Sequence, residues 1–172
     1  MRTPTATKVG LVAILVVTFA AIAGFVGGRP DGPIDPQFAA GFLWLFTGLF
    51  LLRVGGQLYV RTRGPTWLPP TEEWNLTPYR VLLPVQLVIL GVMTWIDVSF
   101  SSGRGIPVEP RPGLGNVVVV FSYVYAAAMA ARYVVRMSRR PDERWFGGTI
   151  PIVFHFVLAA YLYVFGSVHA SH

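Results

Sequence analysis

Five apolar stretches, each long enough to cross a lipid bilayer as a helix, take up most of this chain and leave little else for it to fold with. A hydrocarbon core about 30 Å thick requires about 20 helical residues. The stretches 9–26, 38–60, 79–100, 114–136 and 148–168 meet that need. Between them lie GGRPDGPIDP, RTRGPTWLPPTEEWNLTP, SSGRGIPVEPRPG and MSRRPDERWFG, all rich in proline, glycine and charge. A backbone in lipid must satisfy its own hydrogen bonds, so the apolar runs read as helices and the connectors as turns at the interfaces. The expected fold is all-α: a polytopic transmembrane helical bundle of five transmembrane helices, forming a single domain over residues 1–172.

Composition agrees. With 53% hydrophobic and 13% charged residues, a soluble fold of this length has no interior large enough for its apolar surface. A net charge of +6 would suggest nucleic acid in a soluble protein. Here the basic residues flank apolar runs, where they orient helices, and no nucleic-acid partner is expected. The chain has no cysteine, which excludes disulfides, thiolate metal sites, iron–sulfur clusters and cysteine nucleophiles within it.

Orientation follows from Lys and Arg. With the N-terminus cytoplasmic, the inner side holds Arg2, Lys8, Arg61, Arg63, Arg80, Arg136, Arg139, Arg140 and Arg144, and the outer side holds Arg29, Arg104 and Arg111. This inward bias places the C-terminus outside and fits a bacterial inner membrane. Ala21-Ile22-Ala23 in the first run resembles a signal-peptidase site, but the run is longer than a typical signal core, so it is read as a retained helix. Trp67, Trp74 and Trp145 sit in the inner connectors as interfacial anchors or as ordinary packing. The glycosylation triplet Asn75-Leu76-Thr77 precedes Pro78 on the cytoplasmic side and reads as chance.

Small residues suggest how the helices meet. Gly41, Gly48 and Gly55 recur every seventh residue and fall close to one line on the second helix. Ala20/Gly24 in the first helix, and Ala126/Ala130 and Ala127/Ala131 in the fourth, offer similar close-approach faces. Arg53 and Gln57 project from nearly the opposite side, so the second helix is expected to have partners on two sides and to be central.

Ionisable groups at membrane depth face protein or water and are the default functional candidates. Counting inward from the cytoplasmic ends, Arg53, Gln57, Gln86, Arg132 and His155 share the inner half, and they come from four helices. One reading is a polar cavity for an anionic headgroup, a carboxylate or a quinone-like carbonyl, because the arginine fork matches such oxygens. The other is that Arg53 and Arg132 snorkel to the interface, or that Glu72 or Glu73 folds back onto Arg53. Asp97, near the outer end of the third helix, is either a proton or cation site or an interfacial group.

His155 is the only histidine well inside a span, so no intrachain bis-histidine haem is expected. His169 and His172 have a metal-compatible spacing without a third ligand, and are read chiefly as a polar tail. No nucleophile elbow, zinc-protease motif, phosphate loop or dinucleotide fingerprint is present.

A chain so poor in chemistry and so rich in packing faces reads first as a non-catalytic subunit or assembly factor of a larger membrane complex, with bound lipid and with other membrane subunits or further copies as partners. A carrier, channel or lipid-binding protein using the inner polar layer is the second reading. A membrane enzyme acting on a lipid or quinone through His155 is the third.

Overall fold

The computed structural model describes residues 5–63, 79–139 and 149–172. Within them lie five long helices and no strand: α1 (Thr5–Gly28), α2 (Pro36–Arg63), α3 (Tyr79–Ser102), α4 (Pro112–Arg139) and α5 (Ile150–Ala170). A single 3-10 turn, Ile106–Val108, joins α3 to α4. All five helices are long and apolar enough to span a membrane, so the chain is a multi-pass membrane protein by fold. Trp67, Trp74, Trp145, Glu72, Glu73 and the Asn75-Leu76-Thr77 triplet lie outside the described residues.

Most of the helices overrun their apolar stretches, and their ends are set by local chemistry as well as by hydropathy. Pro36 opens α2, Pro112 opens α4, and Pro151 is the second residue of α5. Proline suits the first turn because its preset φ is helical and the N–H it lacks would have had no partner there. The end of α3 is a glycine cap. The Gly103 amide donates to the Phe100 carbonyl and the Arg104 amide to the Ser99 carbonyl, which requires the positive φ of 64° at Gly103. Pro84 stands inside α3 and removes one backbone hydrogen bond from its first turns.

The central helix is α5. Sixty-seven per cent of its span is buried, against 44% for α2, and it packs on α4, α2 and α1. Free of Asp, Glu, Lys and Arg and apolar all round, it is the kind of helix that settles inside a bundle. The expectation that α2 would be central is thus corrected, and the glycine line explains why. Gly41, Gly48 and Gly55 are exposed, and a Cβ added at any of them would meet no atom within 4 Å. The opposite stripe of α2, with Ala39, Leu43, Phe46, Phe50, Arg53 and Gln57, is the buried one, and it faces α3 and α5.

A close backbone contact between helices uses glycines other than those three. A Cβ on Gly115 of α4 would fall 2.3 Å from the Ala170 amide nitrogen, and one on Gly166 of α5 would fall 3.0 Å from the Val119 nitrogen. Backbone therefore lies on backbone, and no larger residue fits at Gly115 without separating the helices. Ala127, Ala130 and Ala131 are exposed and do not form this seam. Phe25 ties α1 to α2 through rings of Phe38 and Phe42 at 5.9 and 5.5 Å.

One end of the bundle gathers the 29–35 connector, the 103–111 connector and the C-terminus. The Ile34 amide donates to Ser171 Oγ at 2.8 Å, and Trp44 Nε1 donates to Ser101 Oγ at 2.9 Å. A cleft of about 600 Å³ opens there, bordered by Arg29, Asp31, Tyr123, Tyr163 and Ser167.

Candidate functional site

The buried stripe of α2 follows from helical periodicity: Leu43, Phe46, Thr47, Phe50, Arg53, Val54 and Gln57 recur at three- and four-residue steps. That spacing turns Arg53 and Gln57 inward, one turn apart. Arg53 is 6% exposed and Gln57 1%. Ten residues separate Arg53 from the end of α2, so it lies about 15 Å along the helix from that end.

From α3, Gln86 meets Gln57 and is 3% exposed. Its Nε2 donates to Gln57 Oε1 at 3.2 Å. From α5, the Phe154 ring lies under the Arg53 guanidinium, 5.6 Å from Cζ to centroid, a cation–π contact. Arg53 makes no hydrogen bond or ion pair with any described residue, and its Nε is sealed from solvent without an acceptor. The second amide bonds are likewise unmade: Gln57 Nε2 and Gln86 Oε1 are both buried without partners.

Beside this group, the Tyr125 hydroxyl of α4 and His155 Nδ1 of α5 share a hydrogen bond of 2.5 Å. Their rings meet edge to face, 5.6 Å between centroids. Arg132 itself is on the exposed side of α4 and does not join the buried layer. The structure therefore pairs Gln57 with Gln86, places Arg53 one turn from Gln57 and over the ring next to His155, and leaves Arg132 outside.

Asp97 belongs to a separate cluster and is 0% exposed. Tyr161 of α5 donates to its Oδ1 at 3.0 Å and to the Met93 carbonyl at 3.2 Å. Thr47 of α2 adjoins the carboxyl, although Asp97 Oδ2 and Thr47 Oγ1 have no well-formed hydrogen bond. Asp97 is thus a buried interhelical group. His169 is buried against the Phe165 and Phe100 rings at 4.6 and 6.1 Å, whereas His172 is exposed, so the two do not face a common point. Among the described residues no three His, Cys, Asp or Glu side chains gather as a metal site.

Sequence reasoning overlooked Thr47, Tyr125, Phe154 and Tyr161. Thr47 had a signal, because it sits on the same stripe as Arg53. The others depend on which helices become neighbours, and periodicity carries no record of that.

Neither a protein-family model, nor a curated protein, nor a solved structure matches this chain. Chemistry must therefore be read from the layer itself: a fixed positive charge, an aromatic floor, and one unmade donor group and one unmade acceptor from the glutamine pair. Donors of this kind suit carboxylate and phosphate oxygens.

Proposed function

We propose that this chain is a membrane-embedded binding or carrier protein, residing in a bacterial inner membrane with its N-terminus cytoplasmic, that holds a small anionic ligand in the layer between α2, α3 and α5. One observation carries the proposal: the Arg53 guanidinium is buried and has no anion or acceptor among the described residues. A buried charge without a partner is destabilising by several kcal/mol, about 3–5 where a pair has been broken, so a partner from outside the described residues accounts for its presence. Snorkelling alone leaves the sealed Nε of Arg53 without an acceptor, over the Phe154 ring. It does suit the exposed Arg132.

The reading is tested by native mass spectrometry after purification in a mild detergent. The wild-type protein is expected to carry an anionic adduct that is missing from Arg53→Met, a substitution of similar length without charge. Identical spectra would end the proposal.

The exposed glycine line favours a second reading, in which the protein is a subunit whose α2 receives a partner helix along Gly41, Gly48 and Gly55. A photo-crosslinking residue at position 48 would then capture one protein partner in native membranes, and crosslinks to lipid alone would dismiss that role.

A further inference from the structure

The unmade hydrogen bonds of the layer specify more than negative charge. Arg53 Nε is a donor without an acceptor, Gln57 Nε2 is a donor group with no bond, and Gln86 Oε1 is an acceptor with no donor. All three side chains are more than nine-tenths buried, so water outside the bundle does not complete them. Exchanging O and N in both amides reverses the Gln86–Gln57 bond and moves the free groups to the other partner. In either assignment the pair leaves one amide donor and one amide acceptor. The complement of the layer is therefore a group that accepts from a guanidinium and an amide and also donates to an amide oxygen.

Most anions fail that requirement. Carboxylates, sulfate and phosphodiesters only accept at neutral pH, as does a quinone carbonyl, and each would leave the amide oxygen buried and unpaired. An ammonium group only donates and is repelled by Arg53. A phosphate that keeps a hydroxyl satisfies every position, with its oxyanions on the guanidinium and amide donors and its P–O–H on the amide oxygen. Resting on the reading of this layer as a ligand site, we infer that Arg53, Gln57 and Gln86 select a hydrogen-phosphate group, either free or as the phosphomonoester head of a lipid. The Phe154 ring beneath Arg53 holds the guanidinium from the other side without supplying a competing acceptor.

The test uses the full chain in mild detergent at about pH 6, where a phosphomonoester, with a second pKa of about 6, still carries its proton in about half the molecules. Inorganic phosphate, glycerol 3-phosphate and sulfate are titrated by calorimetry. Phosphatidic acid and phosphatidylglycerol are compared for retention by the protein in nanodiscs. Phosphate or the phosphomonoesters should bind about ten-fold or more tightly than sulfate or the diester lipid, the difference that one unpaired buried acceptor makes. Gln57→Leu with Gln86→Leu, which deletes both amides, should remove that preference while Arg53-dependent binding of sulfate persists, and Arg53→Met should remove both. If that variant does not fold, Gln57→Met with Gln86→Met deletes the same pair with side chains closer in length and serves the same purpose. Binding confined to phosphatidic acid assigns the lipid head as the source, and binding of inorganic phosphate assigns the free ion; both support the inference. Equal binding of phosphate and sulfate, lost together in Arg53→Met, overturns the inference and keeps the site. An absence of any Arg53-dependent binding overturns the site as well.

Discussion

A carboxyl and a guanidinium are both buried where α2, α3 and α5 meet, yet the protein treats them differently. Asp97 is met from two neighbouring helices, Tyr161 donating to it from α5 and Thr47 adjoining it from α2, while the Met93 carbonyl of its own α3 shares the Tyr161 hydroxyl. Arg53 sits six residues along α2 from Thr47, about 9 Å by helical rise, and receives only a ring face. Burying either charge is unfavourable. One hydrogen bond, from Tyr161, offsets part of that at Asp97, whose Oδ2 stays without a partner, whereas Arg53 has no such bond among the described residues. The contrast separates a polar group bonded to a neighbouring helix from one whose proposed role is to hold a ligand, although both would look alike in a catalogue of polar residues in spans.

Tyr161→Phe is the strongest challenge to that contrast. It removes the hydroxyl shared by Asp97 and the Met93 carbonyl, leaving a buried carboxyl oxygen without a donor, and is expected to lower stability by about 1–3 kcal/mol in detergent unfolding. A neutral outcome would mean that the Asp97 cluster is no better satisfied than Arg53. A smaller effect is expected from Asp97→Asn, because the amide still accepts from Tyr161 and can donate toward Thr47 Oγ1. The change should stay within about 1 kcal/mol by the same unfolding assay, and a loss as large as that of Tyr161→Phe would show that the carboxylate charge itself is needed. The smallest effect belongs to Gly48→Ala, whose added methyl meets no atom within 4 Å. Stability of the purified monomer should move by less than about 0.5 kcal/mol. A marked loss would place a helix of this bundle against the glycine line after all.

How much of this was readable beforehand depended on whether it was local. The five spans were legible because hydropathy and proline-rich connectors act within a window of a few turns, and the inward turn of Arg53 and Gln57 followed from the 100° step between helical residues. Gly41, Gly48 and Gly55 were equally regular, but regularity does not say whether a smooth face is covered by this chain or by something else. The decisive backbone contact lies instead at Gly115 and Gly166, two glycines on different helices that no single-helix pattern connects. The site divides in the same way. Gln86 was identifiable as a buried polar group of α3, but its bond to Gln57, and the donor and acceptor that the bond leaves over, exist only once the helices are paired. Tyr161 lay in an apolar run where an aromatic residue is unremarkable until Asp97 is placed opposite.

The central claim is that Arg53 serves a ligand and not the fold. It is tested most directly by unfolding wild-type protein and Arg53→Met in detergent, first without oxyanions and then with inorganic phosphate. In the absence of anion the variant should be as stable as wild type, or more stable by about 1–4 kcal/mol, because a buried charge gives way to an apolar side chain of similar length. Phosphate should then stabilise wild type alone. A variant that is clearly less stable than wild type without anion, with neither protein responding to phosphate, would contradict the account.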